Sequence, residues 1–178
     1  MHDTLEKLNL IKNKVNQIIK KKQLKIYPKI IVVTKTFAFE KIIPLLDSGH
    51  LHYGENKVQE AEFKWANSRN VYKDIKLHMI GKLQSNKAKK AVQIFDYIHS
   101  LDNERLALKL HESEKLLNKK VKFFIQLNFG EENQKSGILL EQTHEFYNYC
   151  VNDLSLNVIG LMCIPPISSN PIKYFTIL

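Results

Sequence analysis

The sequence predicts an α/β fold, a parallel (β/α) TIM-like barrel that is incomplete, with an N-terminal helix in front of it. Three observations carry this expectation. Short apolar runs rich in β-branched residues alternate with segments of helical periodicity at regular intervals, which implies a parallel sheet with crossover helices. The first periodic segment is an amphipathic helix that precedes any strand. Glycine, asparagine and charged residues collect just after successive strands, where such folds place their functional loops.

The elements follow in order. Leu5, Leu8, Ile11, Val15, Ile18 and Ile19 recur at helical spacing and predict a helix over 4–22. Ile30-Ile31-Val32-Val33, entered through Pro28, predicts a buried strand over 29–34. A helix over 39–48 closed by Gly49, a strand Leu51–Tyr53 and a helix Glu55–Ala66 come next. Lys76–Ile80 is the third strand, Lys87–Gln93 a short helix and Tyr97–Ser100 the fourth strand. Asp102 is the expected N-cap of a helix carrying Leu106, Leu110 and Leu117. Val121–Leu127 is the fifth strand, 139–151 a helix and Asn157–Ile164 the sixth strand, stopped by Pro165-Pro166. The chain thus reads as a single domain over 1–178 with about six of the eight βα units of a closed barrel. An open doubly wound sheet is the alternative that periodicity leaves standing.

Composition narrows the function classes. With 178 residues and 44% apolar content, the chain suits one domain. No apolar run approaches the ~20 residues of a membrane span, and the N-terminus lacks the apolar core of an export signal. Cys150 and Cys163 fit neither a disulfide framework nor a metal-ligand spacing, which points to the cytosol. The net charge of +9 comes from 27 basic residues, of which only Arg69 and Arg105 are arginine. Base readers rely on arginine for bidentate contacts, so specific nucleic-acid binding is not expected. Lys20-Lys21-Lys22 reads as a solvated helix end. His50, His52, His78 and His99 lie in or beside strands, but no HExxH or CxxC pattern completes a metal site, and packed or surface histidines are the expectation.

Lys35 is the most informative residue. It ends the first strand, at the carboxyl edge where α/β sheets carry their chemistry. Desolvation there would lower its pKa, and a neutral amine is the form that attacks carbonyls. The competing reading is a lysine that simply leaves the strand for solvent. Gly54-Glu55-Asn56 follows the second strand, Gly81 to Lys87 the third, and Asn128-Phe129-Gly130 with Lys135-Ser136-Gly137 the fifth. Any one of these could be turn chemistry. Their repetition on one face points to a site. Asn56 and the Gly81–Asn86 loop, with Ser85 and Asn86, follow strands next to the first and are expected to border whatever Lys35 holds.

The blocks Tyr53-Gly54-Glu55-Asn56-Lys57-Val58-Gln59-Glu60 and His78-Met79-Ile80-Gly81-Lys82-Leu83-Gln84-Ser85-Asn86-Lys87 are long and specific. Together with Val33-Thr34-Lys35-Thr36, Ile98-His99-Ser100-Leu101-Asp102, Gln126-Leu127-Asn128 and Gly160-Leu161-Met162-Cys163-Ile164-Pro165, they resemble the pyridoxal phosphate homeostasis protein family. That family is similar to the N-terminal barrel of alanine racemases and related decarboxylases. The resemblance implies pyridoxal 5′-phosphate held as an aldimine on Lys35, control of intracellular cofactor and amino and keto acid levels, and no established turnover. A racemase or decarboxylase using the same lysine is the enzymatic alternative, and a degenerate fragment that no longer retains the cofactor is another.

Three departures accompany the resemblance. Phe37 and Ala38 stand where the family usually has Lys and Pro, and Lys57 where it has Tyr. The family's last two strand–helix units, with their serine-rich segment, arginine and Gly-Thr pair, have no counterpart here, so a fragment or decaying copy is expected. A monomer, or weak self-association through exposed strand edges, follows.

Overall fold

The computed structural model describes residues 3–66, 68–129, 136–166 and 170–178. Helix α1 (Asp3–Lys22) carries Asp3 and Glu6 in its first turn and Lys20, Lys21 and Lys22 in its last. Both sets of charges complement the helix dipole and favour the helix. It buries Leu8 and Ile19 and leaves much of its length to solvent.

Strands β1 (Val32–Val33), β2 (His52–Glu55), β3 (Lys76–Met79), β4 (Tyr97–Leu101) and β5 (Lys122–Asn128) pair side by side in chain order, all parallel. Strand β6 (Ile138–Leu139) pairs with the carboxyl end of β5, and β7 (Asn157–Met162) pairs along the rest of β5. Between them run α2 (Ile43–Asp47), α3 (Val58–Trp65), α4 (Ser68–Val71), α5 (Ala88–Ile94), α6 (Glu104–Leu117) and α7 (Thr143–Asn148), with α8 (Pro171–Ile177) last. Right-handed crossovers between strands that add in one direction place their helices on one face. A doubly wound sheet needs the strand order to reverse. The order here does not, so the sheet is an open barrel wall rather than a doubly wound sheet.

The outer face of that wall is the core. Tyr53, Leu77, Ile98, Phe123 and Ile125 are fully buried beneath the helices with Trp65, Ala91, Val92, Leu106 and Leu110.

Several elements differ from the sequence expectation. β1 is two residues rather than six: Val32 and Val33 pair with Tyr53 and Gly54, and one further backbone bond runs from the Thr34 N–H to the Gly54 carbonyl at 2.9 Å. Asn103, not Asp102, caps α6: the helix starts one residue later, and the Asn103 side chain accepts from the Leu106 N–H at 2.9 Å. β6 was not expected; it is too short to show a period. The helix over 139–151 is broken into a one-turn 3₁₀ segment, α7 and a π turn over Tyr149–Asp153. Gly49 ends α2 at φ +79, as a left-handed terminator should. Gly130 and Lys135 lie outside the described residues.

Candidate functional site

The carboxyl ends of β1, β2, β3 and β5 bring most of the sequence-predicted residues to one rim. Lys35 follows β1 and is exposed, contrary to the desolvation expected of it. The reason is topological: β1 is an edge strand, with β2 as its single partner among the described residues. Val33 and Gly54 are cross-strand partners, and Lys35 and Asn56 each follow two residues on, just beyond the ends of their strands.

The turn around Lys35 is unusual. Thr36 sits at φ +65, a left-handed conformation that β-branched residues rarely adopt. Such strain costs on the order of 1–3 kcal/mol and survives where neighbours over-determine it. The neighbours are charged groups from β2 and α3. The Glu60 carboxylate accepts the Thr36 N–H at 2.5 Å, and Lys64 Nζ donates to the Thr34 carbonyl at 2.6 Å. Lys64 also pairs with Glu60 Oε1 and Glu55 Oε1, both at 2.9 Å. The same Glu55 oxygen accepts from the Thr34 hydroxyl at 2.7 Å and the Trp65 indole N–H at 3.1 Å. Glu55 is fully buried and its other oxygen, Oε2, has no partner. The hydrogen bond from Lys64 holds the Glu60 carboxyl below the usual range.

Asn56 follows β2, and its side-chain oxygen is buried without a hydrogen-bond partner. A buried acceptor left open is rare and calls for an explanation. Gly81 follows β3 and packs on it so closely that a Cβ there would lie 2.3 Å from the Asn56 carbonyl oxygen. No other residue fits this approach. Gly81 also lines a cavity of about 280 Å³ together with Lys82, Gln126, Asn128, Ser136 and Tyr174. Its size is near the lower bound for small-molecule sites, roughly 300 Å³. Ser85 and Asn86 lie one turn further on, in the 3₁₀ segment Ser85–Lys87 that leads into α5; Asn86 is exposed, and neither lines that cavity. Gly137, at φ +136, closes against the β5 backbone, where a Cβ would lie 2.7 Å from Asn128 N.

Below this rim the inner face carries a row of imidazoles. His52 Nδ1 and His78 Nε2 are 2.9 Å apart, as are His78 Nδ1 and His99 Nε2. Tyr97 stacks on His78 and Phe124 on His99, at 4.3 and 4.4 Å between ring centres. Burial, helped by the neighbouring His99 and His52 rings and Lys29, pushes His78 down to about 3; burial pushes His99 down to about 4. These nitrogens hydrogen-bond one another rather than converge on a point. Among the described residues no group of three His, Cys, Asp or Glu is arranged to hold a metal ion.

This architecture has known counterparts. Residues 7–176 match the alanine racemase N-terminal domain family. The chain belongs to that family. Among curated relatives, the pyridoxal phosphate homeostasis protein of Synechocystis is 36% identical over 143 residues, covering 80% of this chain and 65% of that protein. The chain therefore spans just under two thirds of that relative. The Buchnera aphidicola protein of the same name is 31% identical over 170 residues, covering 93% of this chain and 72% of that protein. Among solved structures, PipY of Synechococcus elongatus, determined with pyridoxal phosphate bound, superposes with a TM-score of 0.72 at 29% identity, covering 91% of this chain and 76% of PipY.

Sequence reasoning placed Lys35, Asn56 and Gly81 at the rim but missed what supports them. Glu55 and Glu60 lie within the Tyr53–Glu60 motif, and Lys64 follows Glu60 at i+4, the spacing of a helical ion pair. That spacing was the available signal. Nothing local could show that the pair reaches across to β1. No helix among the described residues is long and apolar enough to cross a membrane.

Proposed function

We propose that this chain binds pyridoxal 5′-phosphate at the rim formed by the carboxyl ends of β1, β2 and β3, and takes part in intracellular homeostasis of the cofactor and of amino and keto acids. The observation that carries the reading is the open, buried Asn56 Oδ1 beside Gly81, at the same rim of strand ends that Lys35 follows. An acceptor without a donor fits a polar ligand next to the cavity that Gly81 lines. The Lys35 amine is the group that would take the cofactor's aldehyde covalently. Asn56 would accept a hydrogen bond from it, and the Gly81 loop, with Ser85 and Asn86, would border the ring. When bound, the cofactor supplies an electron sink for amine chemistry. This chain's own residues bind and orient it; none is assigned a proton-transfer role.

The names of the relatives and the loaded PipY structure support this reading. Two cysteines without a disulfide suit a cytosolic location. Weak self-association belongs to the same proposal, since β1 and β7 each have one strand partner among the described residues. Titration of the purified chain with pyridoxal phosphate, followed by visible absorbance, tests the binding. Borohydride reduction and peptide mapping should place the pyridoxyl group on Lys35. Absence of any absorbance change, or equal labelling in Lys35→Ala, would refute it.

A further inference from the structure

We propose that Lys64 and Glu60 are positioning residues for Lys35: from α3 they clamp the strained turn that presents its amine. This rests on the cofactor reading above and adds to it the device by which the site is held in shape. Lys35 itself is exposed, and it follows a two-residue edge strand. The last sheet bond before it runs from the Thr34 N–H to the Gly54 carbonyl at 2.9 Å. The residues on either side of it are nevertheless pinned. Lys64 Nζ holds the Thr34 carbonyl, Glu55 the Thr34 hydroxyl, and Glu60 the Thr36 N–H. These bonds span 30, 21 and 24 residues of chain, so they are tertiary contacts and not features of the turn itself.

Thr36 at φ +65 is the second, independent sign. A β-branched residue does not rest in that region unless its surroundings hold it there, and such outliers gather where geometry is functional. The clamp is placed to do this. Glu60 is tied to Lys64 within α3, and Lys64 is tied to buried Glu55 on β2, so the three charges fix one another before they reach the turn. Charge-assisted hydrogen bonds are the stronger kind and hold geometry best where they are shielded from water. The Lys64 side chain is only 7% exposed. Loss of the Lys64 ammonium would leave two carboxylates facing each other, and the Thr34 carbonyl held only by the turn's own Phe37 N–H at 3.2 Å. The turn could then relax, and the Lys35 amine would sample many positions rather than one.

Four variants test this: Lys64→Met, Glu60→Gln, and each combined with Thr36→Gly. Two readouts are needed. The first is amide hydrogen exchange of the segment spanning residues 33–38, which needs no cofactor. The second is pyridoxal phosphate affinity by visible absorbance, with borohydride mapping at Lys35. The expected result is faster exchange in the turn and an affinity about tenfold or more weaker in Lys64→Met, with circular dichroism unchanged. Thr36→Gly, which accepts positive φ without strain, should restore part of the affinity. A role in general folding would not be rescued by that substitution. Unchanged exchange and affinity in folded Lys64→Met overturns the clamp, as does a loss of affinity that tracks melting temperature and ignores Thr36→Gly. If the wild-type chain never labels at Lys35 while the turn still loosens in the variants, the cofactor reading falls and the clamp stands.

Discussion

The two faces of the sheet are built by different physics. The outer face is apolar and sealed: Tyr53, Leu77, Ile98, Phe123 and Ile125 have no exposure and lie against the helix layer. The inner face carries His52, Gly54, His78, Tyr97, His99, Phe124 and Gln126, residues that hydrogen-bond and stack across strands. Alternation along each strand sorts the two sets. The outer face is held by removal of surface from water, which is indifferent to pH. The inner face is held by neutral imidazoles, which are not. A central His78 with both ring nitrogens engaged can donate once and accept once only if it stays uncharged.

The sharpest way to break the comparison is to cut adjacent phenylalanines on opposite faces. Phe123→Ala, on the sealed face, should cost about 3–5 kcal/mol by urea denaturation, the usual figure for a buried phenylalanine. Phe124→Ala removes a half-buried ring stacked on His99 and should cost roughly half as much. Equal losses would mean that the inner face is as tightly packed as the outer.

Acid is the next probe. His78 and His99 are depressed to about 3 and about 4 from 6.5, so the folded chain binds fewer protons than the unfolded chain between those values. Their contribution to stability is therefore full above pH 6.5 and is lost as pH falls below it. Each group can remove up to about 1.4 kcal/mol per pH unit in that window. Denaturation midpoints measured between pH 7.5 and pH 5.5 should fall on the acid side. His99→Gln should flatten the slope. A midpoint independent of pH would place these rings in water.

The same contrast explains what the sequence disclosed. Runs such as Val121 to Leu127 announced strands because alternating burial leaves a period, and their alternation with helices implied a parallel sheet; only the pairing order separates a barrel wall from a doubly wound sheet. Lys35, Asn56 and Gly81 were legible because strand-end position and motif coincide. The exposure of Lys35 was not, since it depends on β1 being an edge, which is a property of pairing and not of residues 30–35. The clamp was hidden for a like reason: Lys64 and Thr34 are 30 residues apart. The histidine row stood in the sequence as four unremarkable imidazoles. Only the register that sets His78 opposite Gly54 and Tyr97 aligns three of them.

The smallest expected effect concerns the one place where the two faces are locally confused. The register between β4 and β5 shifts between Ile98 and Leu101, so His99 and Ser100 share the space of one partner residue. A bulge of this kind re-aims the side chains within it. Ser100 is fully buried there, and its hydroxyl has no hydrogen-bond partner. An unpaired buried hydroxyl carries its desolvation cost with no return. Ser100→Ala removes the oxygen at almost constant shape. It should be neutral or stabilise the fold by up to about 1 kcal/mol, read as a small rise in the urea midpoint at constant slope. A loss of more than about 1 kcal/mol would show that the hydroxyl is bonded in solution, and that the bulge belongs to the polar inner face rather than to the sealed outer one.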